Sequence, residues 1–128
     1  LTGAVVVCTP QPVALAAARK AVDLFRSPKT DILGLVENMS YFACPHCGER
    51  TDIFGHGGAR EAAAELGRDF LGEIPLDVRV REGGDSGVPI MVSDPDSPVS
   101  QAIMEIAQKV AAKTSVQHFF AQPAATAG

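Results

Sequence analysis

The sequence has no tryptophan, one tyrosine and only three cysteines in 128 residues. Three cysteines cannot all pair within one chain, and two of them form a C-x-x-C motif, so the pattern argues against a secreted disulfide framework. A reducing compartment fits better, and we expect the cytoplasm or, in a eukaryote, the mitochondrial matrix. In such a compartment a C-x-x-C motif indicates metal binding or redox chemistry.

Long apolar runs and an excess of positive charge are also missing. The longest apolar stretches, such as Gly3–Cys8 and Ile32–Val36, fall far short of the roughly 20 residues that cross a bilayer. The formal net charge of -4 gives no overall field that attracts nucleic-acid phosphates or anionic lipid. We therefore expect no membrane and no nucleic-acid partner. The chain starts at Leu1 without an initiator methionine or a signal peptide, and we expect it to begin inside a longer protein.

The residues that are present predict an α/β fold. The Val-rich run Gly3–Cys8 shows no alternation, which is typical of a parallel strand covered on both faces. An amphipathic helix at Val13–Phe25, stopped by Ser27-Pro28, and a second buried strand at Asp31–Glu37 follow. Strand, helix and strand together have the length of one parallel crossover unit. We therefore expect an α/β fold with a parallel sheet and flanking helices.

The rest of the chain predicts more elements of the same kind and then a tail. After Thr114 no hydrophobic period is sustained, so we expect an ordered domain over residues 1–113 and a flexible tail over 114–128. The predicted elements are a helix at Gly57–Leu66, a strand at Phe70–Ile74, a helix end followed by a loop at Arg81–Gly87, and a closing helix at Pro95–Lys113.

The motif Cys44–Gly48 (Cys-Pro-His-Cys-Gly) carries the chemistry. Thiols of Cys44 and Cys47 in a tight turn can converge on one ion, as in zinc knuckles and iron-sulfur loops, which predicts a C-x-x-C knuckle that binds metal. Such centres need about four protein ligands, and the chain offers few others. We exclude Cys8, because a cysteine in an apolar strand is usually a small buried hydrophobe. The missing ligands are therefore expected from outside the chain.

Other interpretations of the motif remain open from the residues alone. His46 could tune the thiols or simply face solvent, while His56 in a loop and His118 in the tail are not expected to be ligands. A dithiol oxidoreductase is disfavoured because residues 48–52 show little helical promise, and thioredoxin-type thiols need a helix N-terminus. A zinc-stabilised structural module is the other alternative.

Several segments form a combination that is specific as a set: Gly3–Val7, Thr9–Gln11, Gly34–Phe42, Cys44–Gly48, Phe54-Gly55, Leu71–Leu76, Arg81–Gly83 and Asp85–Pro89. Together they resemble the Mrp/ApbC/Nbp family of P-loop ATPases that carry iron-sulfur clusters. This resemblance implies the C-terminal half of a doubly wound, mostly parallel sheet with flanking helices and a C-x-x-C knuckle loop. It also implies a homodimer in which each Cys44/Cys47 loop supplies two ligands to one bridging 4Fe-4S cluster, which is then transferred to recipient apoproteins.

The resemblance also implies a nucleotide site. In similar proteins an Asn at the place of Asn38 recognises adenine, and residues at the places of Pro75 and Leu76 border the same base. From the residues alone, Asn38 is equally a turn former and Pro75 a strand terminator. The G-x-x-x-x-G-K-S/T phosphate loop of the family does not occur in the 128 residues. We therefore assign no catalytic residue and expect ATP and Mg only in a full-length parent.

Overall fold

The computed structural model of the chain describes residues 1–26 and 29–121. Strands and helices alternate along most of this length, as the apolar runs predict. The strands are β1 (Ala4–Cys8), β2 (Ile32–Ala43), β3 (Arg50–Thr51) and β4 (Phe70–Leu76). The helices are α1 (Pro12–Arg26), α2 (Gly58–Glu65), α3 (Val78–Ser86), α4 (Ile90–Ser93) and α5 (Pro98–Ala121).

Strand β2 is the centre of an open, mixed sheet. It pairs in parallel with β1 on one side and with β4 on the other. Its last two residues, Phe42 and Ala43, pair with β3 in the antiparallel direction. The carboxyl ends of β1, β2 and β4 therefore point toward the same edge, where the C-x-x-C motif follows β2.

Helices α1 and α2 cover β1 and β2 through small and branched side chains. The close approach is visible at Gly58, where an added Cβ would lie 2.5 Å from Cδ1 of Leu15. A larger residue at this position would push α1 and α2 apart, because the interior is close-packed. The buried members of this core are Val6, Cys8, Leu15, Ala18, Val22, Ile32, Leu35, Ala59, Ala62 and Ala63.

Strand β2 is longer than the predicted strand, which ended at Glu37. It continues to Ala43, because Asn38 and Phe42 keep pairing with Ile74 and Leu76 of β4. Met39 interrupts this stretch with a positive φ of 54°. The apolar run ends at Glu37, but strand pairing supplies the partners for the backbone beyond it.

Helix α5 is also longer than predicted. The flexible tail was expected from Thr114, but the helix continues to Ala121. Thr114 donates a hydrogen bond from Oγ1 to the carbonyl of Val110, and the Gln117 amide donates to the Asp31 carboxylate. The first bond lies within the helix, and the second joins the additional turns to the residue that precedes β2. Residues 122–128 of the expected tail, and the Ser27-Pro28 helix stop, lie outside the described residues.

The Gly-rich segment after β4 is more helical than predicted. Helix α3 runs through Gly83 and Gly84 and ends before Gly87, so a helix end is found but most of Arg81–Gly87 is helix rather than loop. The short helix α4 was not predicted. No helix within residues 1–26 and 29–121 is long and apolar enough to cross a bilayer.

Helix α3 begins at a charged cap that can be tested directly. Asp77 accepts a hydrogen bond from the backbone amide of Arg79 at 2.9 Å, and the Arg79 guanidinium contacts the carboxylates of Asp77 and Asp94. These hydrogen bonds from Arg79 hold the pKa of Asp77 below its ordinary value. The cap therefore stabilises the fold above the unfolded Asp pKa, and this contribution is lost as pH falls through the lower, folded pKa.

We predict that Asp77→Ala lowers the free energy of unfolding of the chain by about 1 kcal/mol at neutral pH. The difference from the wild-type chain should shrink in acid, where Asp77 is protonated first in the unfolded state. Asp77→Asn keeps a capping oxygen but loses the charge that pairs with Arg79, so this matched control should lie between the wild-type chain and Asp77→Ala at pH 7. Urea unfolding of the three proteins at pH 7 and pH 3 measures this. An equal loss for Asp77→Ala at both pH values would contradict the assignment.

Candidate metal-binding site

A tight hairpin presents the two cysteines at the edge of the sheet. It connects β2 to β3 through residues 44–49. The amide of Gly48 donates to the carbonyl of Cys44 at 2.8 Å, and the amide of Cys44 donates to the carbonyl of Glu49 at 2.9 Å. The ladder pair Ala43 and Arg50 closes the hairpin directly behind these bonds. The C-x-x-C motif therefore sits in a turn fixed by its own backbone.

Both cysteines of the hairpin are free thiols with access to solvent. Cys44 is half-buried and Cys47 is exposed. The pKa of the Cys44 thiol is lowered, first by the backbone amide of Cys47, then by the amide of His46 and by the Cys47 thiol. A lowered pKa favours the thiolate, which is the form that binds metal. The turn is thus suited to hold a soft metal ion or an iron-sulfur cluster.

The other candidate ligands lie elsewhere. Cys8 is buried in β1, as expected, and burial, followed by the nearby Glu37 carboxylate, raises the pKa of its thiol. His46 is exposed in the turn, and His118 lies in α5 rather than in a tail. Within the described part of the chain no three His, Cys, Asp or Glu side chains group as a metal site. One chain therefore brings two thiols to a centre, and their role as ligands stays a prediction.

A cavity of about 390 Å³ opens beside Cys44. It is lined by the hairpin stem, the end of β4, the start of α3 and the start of α5. Pro75 and Leu76 are both among the lining residues. Asn38 lies in a different groove, beside β1 and α1. The structure thus brings two of the three expected adenine-edge residues to the cysteine loop and leaves Asn38 apart from them. A larger cavity of about 490 Å³, around Asp31 and Lys113, includes no cysteine.

Sequence reasoning missed a buried polar cluster under the hairpin. The Glu37 side chain is fully buried, and Ser40 Oγ donates to its Oε1 at 2.7 Å. The backbone amides of Gly57 and Ala59 donate to the same carboxylate at 3.0 and 2.9 Å. His56, expected to be a plain loop residue, lies with Nδ1 3.0 Å from Ser40 Oγ. The available signal was a charged residue at the end of a buried-type strand, because buried charges require partners.

Solved structures with the same architecture define the class. The chain matches the Pyrococcus furiosus cell division ATPase MinD with a TM-score of 0.68 at 23% identity, over 87% of this chain and 43% of that one. It matches a nucleotide-binding protein from Archaeoglobus fulgidus, in complex with ADP and with Co, with a TM-score of 0.63 at 43% identity, over 75% of this chain and 38% of that one. The fold is therefore an α/β fold of the P-loop NTPase class.

Sequence comparison narrows the class to a family. The ParA family model described as NUBPL iron-transfer P-loop NTPase matches residues 1–111, and the chain belongs to this family. The resemblance drawn from the sequence motifs is thereby confirmed.

Curated relatives have names of the same kind. The chain is 54% identical over 110 residues to the Arabidopsis thaliana "Iron-sulfur protein required for NADH dehydrogenase, mitochondrial", covering 86% of this chain and 35% of the relative. It is 46% identical over 113 residues to the "Iron-sulfur cluster carrier protein" of Pyrococcus horikoshii, covering 88% and 38%. The chain therefore spans about a third of the length of these relatives.

The environments of the cysteines predict different reactivities. We expect iodoacetamide to modify Cys44 of the metal-free folded chain at a pH below the ordinary thiol range, because backbone amides stabilise its thiolate. Cys8 should react far more slowly, because it is buried and its pKa is raised. Peptide mass spectrometry across a pH series measures both rates. In denaturant the rates should converge, and a Cys44 rate that matches a model thiol in the folded chain would contradict the prediction.

Proposed function

We propose that this chain is the cysteine-bearing part of an iron-sulfur cluster carrier. The observation that carries the proposal is the exposed hairpin with two thiols, one of which has a lowered pKa. Membership of an iron-transfer family supports iron-sulfur cargo, and thiolates are the ligands that iron-sulfur clusters take from proteins. A zinc-stabilised module would use the same thiols, and reconstitution followed by metal analysis distinguishes the two.

Because one hairpin has only two thiols, the proposed cluster requires two chains. A 4Fe-4S cluster takes about four cysteine ligands, and each hairpin supplies Cys44 and Cys47. A homodimer around a two-fold axis, with the hairpins facing each other, would provide the complete set, because the same patch meets itself in such an interface. The cargo would then lie at the interface between two chains, held by the two loops.

The proposed carrier passes its cluster to recipient apoproteins. A relative from Dictyostelium discoideum, 51% identical over 110 residues, is named "Iron-sulfur cluster transfer protein NUBPL". The exposure of Cys47 supports this role, because a recipient thiol must reach the cluster to replace a ligand. A reducing compartment suits the free thiols, and we propose the cytoplasm or the mitochondrial matrix, the second in line with the mitochondrial relative of Arabidopsis.

A nucleotide site is proposed only for a longer parent protein. Within the described residues β1 pairs with β2 alone, so its second edge is open to a further strand. This open edge, and the length of the relatives, support our proposal that residues 1–113 are the C-terminal half of a doubly wound domain. Asn38, Pro75 and Leu76 are the residues proposed for the adenine edge there, with Asn38 in a groove separate from the other two, while phosphates and Mg would be bound by the other half.

The cargo assignment predicts the effect of removing each thiol. Anaerobic reconstitution of the 128-residue chain with iron and sulfide should give a brown, dimeric protein by absorption and light scattering. Cys44→Ser and Cys47→Ser should each abolish cluster binding, because only this pair has the geometry of a chelate. Cys8→Ser is the matched control and should leave the iron and sulfide content unchanged, since its side chain is buried.

Three outcomes of that experiment would overturn parts of the proposal. Unchanged iron and sulfide in Cys44→Ser would refute the ligand assignment. A full cluster on a monomer would refute the bridging dimer. A colourless chain that binds zinc stoichiometrically but no cluster would favour the structural zinc module, and thiol-dependent redox cycling without metal would favour a dithiol oxidoreductase.

We also predict that the 128-residue chain neither binds nor hydrolyses ATP measurably. Most nucleotide affinity in P-loop proteins comes from backbone amides and a lysine around the phosphates. Adenine contacts alone must overcome the cost of association, which leaves roughly millimolar affinity at best. Calorimetric titration with Mg-ATP measures this. A micromolar dissociation constant would contradict the prediction, whereas weaker binding by an Asn38→Ala variant of a longer parent would support the adenine role.

A further inference from the structure

A continuous series of polar contacts links Glu37 to the cysteine hairpin. Ser40 Oγ donates to Glu37 Oε1 at 2.7 Å, and Nδ1 of His56 lies 3.0 Å from the Ser40 hydroxyl. Nη2 of Arg50 lies 3.0 Å from Nδ1 and 3.1 Å from Nε2 of the same ring, and Oε1 of Glu73 lies 3.4 Å from Nε2. The Glu37 carboxylate is thus connected through Ser40 and His56 to the Arg50 guanidinium.

The series of contacts ends at Arg50, in the stem of the cysteine hairpin. Arg50 pairs with Ala43 in the ladder that closes the hairpin, and the next bond in the turn joins Cys44 to Glu49. The guanidinium of Arg50 also stacks 3.9 Å from the centre of the Tyr41 ring. Both strands of the hairpin stem are therefore fastened through Arg50 to His56.

The other end of this series of contacts, at Glu37, is fixed in the sheet and in α2. Glu37 is fully buried and takes two amides at the start of α2, where Gly57 has a positive φ of 82° that suits glycine. Side-chain motion at such a site is expensive, because leaving either amide or the carboxylate unpaired in the interior costs free energy. Glu37 is therefore a rigid anchor at one end of these contacts, and the exposed Arg50 lies at the other end.

We propose that Glu37, acting through Ser40, His56 and Arg50, is a positioning residue that holds the Cys44/Cys47 hairpin in the geometry that binds the cargo. The proposal rests on the proposed function of the two thiols. It adds that ligand placement depends on residues that contact no metal. Groups of this kind behind metal ligands commonly change metal affinity by about 10–100-fold when removed.

Ser40→Ala and His56→Ala are the test variants. Both break the contacts between Glu37 and Arg50 and leave the two backbone amides on the Glu37 carboxylate. Co²⁺ is the probe, since its thiolate charge-transfer and ligand-field bands report the ligand geometry. We expect both variants of the 128-residue chain to bind Co²⁺ about tenfold more weakly than wild type, with shifted ligand-field bands. Glu65→Gln, an exposed carboxylate change in α2 that breaks the ion pair with Arg19, is the matched control and should behave as wild type.

Hydrogen exchange in the metal-free chain provides an independent readout. Ser40→Ala and His56→Ala should speed exchange of the Cys44 and Gly48 amides, while amides of β1 keep their protection. Wild-type affinity and spectrum in both variants, or unchanged exchange at the hairpin, would overturn the positioning role. If the wild-type chain binds no Co²⁺ through thiolates, the proposed function fails, and the positioning role fails with it. If the wild-type chain binds Co²⁺ and both variants bind it equally well with the same spectrum, only the positioning role fails.

Discussion

Burial of the Glu37 carboxylate is the interaction on which the cysteine end of the fold depends. A buried charge must be satisfied locally, and here the donors are Ser40 and the amides of Gly57 and Ala59. Those amides belong to the first turn of α2, where backbone N–H groups lack partners within the helix. One carboxylate therefore receives its own hydrogen bonds, gives partners to amides at the start of α2, and joins β2 to α2.

Local sequence patterns predicted the elements whose stability is local. The Val-rich run and the amphipathic segment gave β1 and α1 close to their observed bounds, because burial and helical spacing are visible in neighbouring residues. The second half of β2 could not be predicted in this way. Its polar residues Asn38 and Ser40 end the apolar run, and the strand persists only because β3 and β4, far along the chain, pair with it.

The candidate site was also predictable only where its residues are close in sequence. Cys44 and Cys47 are close in sequence, so their spacing alone predicts a chelating turn. The link from Glu37 to His56 joins residues from different elements, each with an ordinary interpretation by itself. Asn38 and Pro75 illustrate the converse. Asn38 pairs in register with Ile74, the residue before Pro75, yet Asn38 and Pro75 line different cavities.

The end of β4 connects the residues proposed for the adenine edge with the cysteine hairpin. Leu76 pairs with Phe42 in the hairpin stem, and Pro75 and Leu76 share a cavity with Cys44. A ligand shifts a conformational equilibrium only through contacts that differ between the two states. A base seated against Pro75 would make such contacts one strand away from the hairpin that carries the two proposed ligands, Cys44 and Cys47. Asn38, which lies in the groove beside β1, has no comparable contact with the hairpin cavity, so coupling through the adenine edge would run through β4 and the start of α3.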